Sequence, residues 1–199
     1  TAEHVHGKTG LDGTELRVRE KEVEPTSAID FIIECAEKYR DEKITICALG
    51  PLTNIARVLT KNPGVTGSIE EIVLMGGGFF EGGNITPAAE FNIYVDPEAA
   101  KIVLDSGVKI TMLPLDVTHK TLVQRDFLEK LRKSGKNSAI EAAKLLDFFE
   151  RYDVEKYGSQ GGPLHDPNVI VYLLDPTIYK GKLVNVEIEV KSELTRGMT

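Results

Sequence analysis

The chain has 199 residues, 41% hydrophobic and 28% charged, the balance of a globular domain with a core of its own. With 31 acidic against 24 basic residues the net charge is −7, which argues against a surface built to bind phosphate backbones. The longest apolar runs, such as NVIVYLL, are far too short to cross a bilayer, and no charged-then-apolar leader opens the chain.

The pattern alternates strands and helices. A helix is predicted at about 25–40, then a strand in KITICAL (43–49) and a helix in GPLTNIARVLTKN with Pro51 at its start. EEIVLMGGG (70–78) reads as a second strand ending in glycines. VDPEAAKIVLDSG (95–107) reads as a helix with Asp96 as N-cap, Pro97 next and Gly107 as stop. KITMLPLD (109–116) is a third strand. Helices follow at about 121–133 and 137–157, the second amphipathic through Ile140, Ala143, Leu146 and Phe149. DPNVIVYLLD (166–175) is a short helix, with Asp166 as N-cap and Pro167 in the first turn. KLVNVEIEV (182–190) alternates apolar and polar residues and predicts a half-buried edge strand. The fold class is therefore α/β, an open and mostly parallel sheet with flanking helices, with residues 1–199 forming one domain. Cys35 and Cys47 lack CxxC spacing and read as two buried free thiols in a reducing cytoplasm.

Ligands of an open α/β sheet sit beyond the carboxyl ends of its strands. The segments expected there are LGPLTN, MGGGFFEGGNITPAAEFN, PLDVTH and GGPLHDP. HGKTG (6–10) imitates a phosphate-binding loop, but that motif needs a glycine at position 2, which is alanine, and a strand before it. In the loop 76–92, Asn84, Glu90 and Asn92 are the group types that pair with vicinal hydroxyls. The same residues also suit a plain structural job: Asn84 in a left-handed turn, Asn92 as a loop cap. His165 and Asp166 stand side by side at a helix start, where they either face a ligand or metal or simply end a loop and cap the helix. Asp116 in PLDVTH reads as a cap for the next turn, His119 as structural and His4 as a surface residue.

ALGPLTNIA, IVLMGGG, AAEFNIYVDPEAA, LDVTH and LHDP occur in the order and approximate spacing of the inosine-uridine preferring nucleoside hydrolases, which the whole chain resembles. HVHGKTGLDG and ELTRGMT resemble segments near the family's beginning and end. The resemblance implies a Rossmann-like nucleoside hydrolase fold, and hydrolysis of the N-glycosidic bond of ribonucleosides to base and ribose in purine or pyrimidine salvage. It implies one Ca²⁺ holding a water and the ribose hydroxyls, and an oxocarbenium-like transition state. By resemblance, Asp166 and the Leu49 carbonyl are metal ligands, Asn84, Glu90, Asn92 and Met75 line the ribose site, His165 serves the leaving base as the catalytic group, and His6 lies near the base. Tyr157, or Tyr152 and Asp153 one turn earlier, could read the base; with no Trp in the chain, a pyrimidine or broad preference is expected over strict purine stacking. A cytoplasmic homodimer or homotetramer is the expected assembly.

Nothing in 1–199 resembles the family's opening DxDxGxDD motif, which supplies the main metal carboxylates and the general base. The chain therefore reads as an interior fragment, incomplete at the N-terminus by about 75 residues. By itself it is expected to be inactive, since one carboxylate and one carbonyl are too few for tight Ca²⁺ binding. The alternative is a catalytically dead relic or a ribosyl-binding module. A serine hydrolase of the α/β class is disfavoured, because no G-x-S-x-G elbow occurs.

Overall fold

The computed structural model describes residues 3, 7–14, 16, 22–157 and 161–199, with the backbone alone at 150–157. His4 and His6 fall outside the described residues, as do the side chains of Tyr152, Asp153 and Tyr157. The chain divides into two compact units: Thr1–Val23 with His119–Leu164, and Glu24–Thr118 with His165–Thr199.

The second of these units holds the sheet. Its elements run α1 (Ala28–Lys38), β1 (Ile44–Ala48), α2 (Thr53–Lys61), a 3-10 turn (Pro63–Ser68), β2 (Ile69–Met75), α3 (Phe91–Val95), α4 (Pro97–Leu104), β3 (Ile110–Leu113) and α5 (Leu115–Thr118). After residue 164 the chain re-enters this unit as α8 (Pro167–Leu174), followed by a 3-10 turn (Pro176–Ile178). The strands lie in the order β1-β2-β3, both pairs parallel, with Ala48 opposite Leu74 and Met75 opposite Leu113. Parallel neighbours need a crossover, and the helices between these strands supply it.

β2 shows why the sheet is buried on both faces. Successive side chains of a strand point to opposite sides. Ile72 and Leu74 join a cluster with Val58, Ala100 and Val103, while Val73 and Met75 join another with Leu113, Leu115 and Val169. The central strand is thus apolar on both faces along Ile72–Met75, and the IVLM run records this. Helix starts follow the expected chemistry at two points. Asp96 accepts from the Ala99 N–H at 3.0 Å with Pro97 in the first turn, and Ser27 accepts from Asp30 N–H at 3.1 Å. Gly107, with φ of +76°, follows α4 as the predicted stop.

The segment 182–190 does not form the predicted edge strand; its backbone is irregular. Extended sequence becomes strand only where a neighbour takes its hydrogen bonds, and here such pairing is confined to Glu189, which bonds with Gly197 and Met198. The apolar alternation has a different cause: Ile188 and Val190 pack into the core beside α1 and α4.

The other unit contains β4 (Leu122–Val123), α6 (Arg125–Lys133), α7 (Asn137–Tyr157) and β5 (Gly162–Pro163), the last antiparallel to β4. Val123, Leu128 and Ala143 form its core, with Leu131, Leu146 and Leu164 against them. In its HGKTG loop, the N–H groups of Lys8 and Thr9 donate to the Asp12 carboxylate at 3.2 and 3.3 Å. Donors that a phosphate loop would aim at a nucleotide are here used internally. Cys35 and Cys47 are free, as expected, but half-buried rather than buried.

Candidate active site

Met75, Leu49, Glu90, Asn92 and Asp166 gather at the carboxyl ends of the parallel strands. Met75 ends β2 and is 3% exposed. Leu49 follows β1, one residue past the Ala48–Leu74 pair, so the register carries it to the level of Met75. Asp166 begins α8, whose Val169 packs in the same cluster as Met75.

Glu90 is the best-defined group. It is 2% exposed and stands at the N-cap position of α3. Its Oε1 accepts from Asn92 N–H at 2.9 Å; its Oε2 accepts from Ile93 N–H at 3.2 Å and from Gly77 N–H at 3.1 Å. Burial pushes the carboxyl above its ordinary range, and the nearby charge of Asp166 acts in the same direction, outweighing the three N–H donors that favour ionisation. That coupling places the Glu90 and Asp166 carboxylates within electrostatic reach of one another.

The two asparagines brace the same loop. Asn84 Oδ1 accepts from Phe91 N–H at 2.9 Å, and Asn92 Nδ2 donates to the Met75 carbonyl at 3.1 Å. The sequence suggested Asn84 for a left-handed turn, but among the described residues Lys43 is the non-glycine residue with positive φ. The sequence suggested Asn92 as a cap; the capping is done by Glu90. Asp166 occupies the N-cap position of α8 in a helical conformation (φ −61°, ψ −39°), and its side chain makes no cap hydrogen bond. Capping of α8 therefore does not account for an Asp before Pro167.

His165 is half-buried, and its Nδ1 lies 2.8 Å from Oγ1 of Thr118, a residue with no exposure at the end of α5. Sequence reasoning passed over Thr118, although its place two residues after Asp116 in LDVTH marks it as part of a strand-end segment. It also assigned Asp116 too small a role. Expected to cap the next turn, Asp116 instead reaches back to the loop after β2: its Oδ2 and Oδ1 accept from the N–H groups of Phe79 and Phe80, both at 2.8 Å. Burial pushes Asp116 up, yet these bonds, with others from its own N–H and that of Glu81, prevail and hold its carboxyl below the ordinary value.

A hard oxygen-loving cation is partly provided for. Asp166 and the Leu49 carbonyl are oxygen donors of the correct type, and a cation beside Asp166 relieves its repulsion with Glu90. Among the described residues there is no group of three or more His, Cys, Asp or Glu side chains that could hold a metal. No helix among them is long and apolar enough to cross a membrane.

Comparison with known proteins identifies the family. Residues 1–199 match the family profile described as inosine-uridine preferring nucleoside hydrolase. The chain is 47% identical to an uncharacterised protein of Schizosaccharomyces pombe, covering all of this chain and 64% of that protein. It is 46% identical to the pyrimidine-specific ribonucleoside hydrolase RihA of Shewanella sp. (strain ANA-3), covering all of this chain and 62% of RihA. Among solved structures, a purine-preferring ribonucleoside hydrolase from Gardnerella vaginalis superposes with a TM-score of 0.92 at 34% identity, over 99% of this chain and 62% of that one. A plant nucleoside hydrolase superposes with a TM-score of 0.94 at 32% identity, over 100% and 62% respectively. The chain thus spans just under two thirds of the length of these relatives. With the profile matched from end to end and the Rossmann-like fold shared, the chain belongs to the inosine-uridine preferring nucleoside hydrolase family.

Proposed function

We propose that the protein hydrolyses the N-glycosidic bond of ribonucleosides, releasing base and ribose. The observation that carries this reading is the set of polar atoms left after the structural bonds of the loop are counted. Glu90 has used three of a carboxylate's roughly four acceptor positions, so one remains on Oε1. Asn92 has its Oδ1 in hand and Asn84 its Nδ2. Two acceptors and a donor, on rigid supports, suit the hydroxyls of a ribose. Met75 forms an apolar wall beside them.

His165 holds a proton or hydrogen bond for the departing base, with Thr118 fixing its ring through Nδ1. Tyr157, on α7, is assigned to reading the base, and His6 to the base side of the pocket. A pyrimidine or broad preference is supported by the 46% identity to the pyrimidine-specific relative and by the absence of Trp from the sequence. Asp166 and the Leu49 carbonyl are the residues that would hold Ca²⁺. When bound, the ion supplies the charge that polarises a water and steadies the ribose diol. Two such oxygens fall well short of the six to eight that Ca²⁺ takes, so the full-length gene product, rather than the 199-residue chain by itself, is the active species. A homodimer or homotetramer in the cytoplasm completes the proposal, and the two free thiols fit a reducing compartment.

The test is release of reducing sugar from uridine, cytidine and inosine by the full-length product, with Ca²⁺ and after chelation. Ribose release that chelation abolishes and Ca²⁺ restores is expected, with uridine preferred; Tyr157→Phe should change the ratio of kcat/KM for uridine and inosine. No release from any ribonucleoside would refute hydrolysis. The second reading, a ribosyl-binding protein without chemistry, draws on the lack of a three-ligand cluster among the described residues. It wins if ribose or uridine binds and is not consumed.

A further inference from the structure

Beyond Met75 and Leu113, the backbone pairing of β2 with β3 continues into the loop. Gly76 N–H donates to the Leu113 carbonyl at 3.4 Å, and Leu115 N–H donates to the Gly77 carbonyl at 3.0 Å. The Asp116 carboxylate then takes the N–H groups of Phe79 and Phe80, one on each oxygen. Successive backbone N–H groups turned toward one point form an anion-binding nest, and here a side chain of the same fold fills it.

The far side of the loop, from Gly83 to Phe91, is bonded largely within itself. Gly83 N–H donates to Pro87 O at 3.2 Å, Ile85 N–H to Ala89 O at 3.3 Å, and Phe91 N–H to Asn84 Oδ1 at 2.9 Å. Asn84 rides on this side, and Glu90 closes it with its own bond from Gly77 N–H at 3.1 Å. Residues 79 and 80 themselves contribute little packing, since Phe79 is 45% and Phe80 100% exposed. Apolar burial therefore does not hold Phe79 and Phe80; the Asp116 carboxylate takes their N–H groups, while Thr199 Oγ1 holds the adjacent Gly78.

We propose that Asp116 is a positioning residue for ribose binding: by clasping the backbone of residues 79–80 it sets the loop that presents Asn84 and Glu90. This rests on the ribonucleoside reading of the site. Asp116 touches no substrate, and it acts through the loop.

The experiment compares wild type, Asp116→Ala and Asp116→Asn in the full-length gene product, each checked for native circular dichroism. Two readouts are taken: amide hydrogen exchange over residues 77–83, and KM and kcat for uridine. Loosening the clasp should speed exchange there by about tenfold or more in Asp116→Ala while core strands keep their protection. KM should rise by about tenfold with kcat within about threefold, the pattern of a lost ground-state grip that the transition state shares. Asp116→Asn, which keeps one acceptor oxygen, should fall between the two. A residue serving stability alone would lower Tm and leave KM of the folded enzyme unchanged. Wild-type exchange and wild-type KM in folded Asp116→Ala, or in Asp116→Asn should the alanine variant not fold, overturn the proposal. If the wild type cleaves no ribonucleoside, the functional reading fails, while unchanged exchange at 77–83 would still overturn the clasp itself.

Discussion

Replacing Glu90 by alanine tests whether this carboxylate organises the loop. Two buried backbone donors, on Gly77 and Ile93, and the half-buried one on Asn92 lose their acceptor at once. Each buried donor left unsatisfied costs about 1–3 kcal/mol, so the gross loss is about 3–9 kcal/mol. Two effects reduce it. Water entering the vacated volume re-satisfies some donors, and removing Glu90 ends the cost of a buried carboxylate facing Asp166. A net loss of about 2–4 kcal/mol is expected, to be read from urea unfolding of the full-length product. Glu90→Gln keeps an oxygen that can serve Gly77 and Ile93 but turns an NH₂ toward the Asn92 N–H, for a loss of about 1–2 kcal/mol. The pH dependence gives an independent check. The folded carboxyl binds its proton more tightly than the unfolded one, so between the unfolded and the raised folded value the folded state holds the extra proton. Stability from this group therefore falls as pH rises through that window. Wild type minus Glu90→Gln isolates the slope, which should be negative. If Glu90→Ala unfolds within about 0.5 kcal/mol of wild type, the three donors have other partners and the argument about the loop is wrong.

Asp116 predicts the opposite slope: its folded carboxyl sits below the ordinary value, so its contribution is present above the unfolded pKa and lost as pH falls through the folded one. Acid unfolding curves of Asp116→Ala should lose that part of the acid limb, and an unchanged difference between pH 6 and pH 3 would contradict it. Gly83→Ala should be severe, because a Cβ there would lie 2.2 Å from the carbonyl oxygens of Ala89 and Thr86, both backbone. A loss of at least about 2 kcal/mol in the urea midpoint is expected, together with weaker uridine binding. Thr118→Val keeps the volume and removes the hydroxyl from His165 Nδ1. Its kcat on uridine should fall about tenfold or more and be largely retained in Thr118→Ser, as the loss of one orienting bond to a proton donor implies; equal rates in wild type and Thr118→Val would remove Thr118 from the mechanism.

Much of the fold was legible because its signals are local. Asp96-Pro97 and Gly107 bracket a helix by capping chemistry alone, and the IVLM run announces a strand buried on both faces. The segment 182–190 misled because alternation reports burial on one side, not the presence of a pairing partner. Ile188 and Val190 satisfy the pattern by packing on helices and sheet. In the site, Glu90, Asn92 and Asp166 could be named from motif likeness, but their bonding could not. The Gly77–Glu90 bond joins residues 13 apart and the Phe79–Asp116 bond residues 37 apart. Such partners are set by which strand ends meet, and single-sequence periodicity carries no information about that. The pairing of Thr118 with His165, 47 residues apart, was missed for the same reason.

The structural and functional readings of these polar residues divide by atom rather than by residue. Asn84 spends its oxygen on Phe91 N–H, and Asn92 spends its nitrogen on the end of β2. Glu90 spends three lone pairs on the loop stem and the start of α3. Each bond that serves the fold also fixes the orientation of the atom that remains. On the proposed function, a sugar hydroxyl would meet acceptors and a donor whose directions were set during folding, so the ordering entropy would not be charged to binding. The same reasoning explains why α3, only five residues long, can carry two site residues. Its position depends little on its own helical stability, because Met75 at the end of the most buried strand and Gly77 just beyond it hold Asn92 and Glu90 from outside. A short, bonded helix start at a strand terminus is a stiffer platform than a free loop, and it places the remaining polar atoms of Glu90 and Asn92 where the parallel sheet ends.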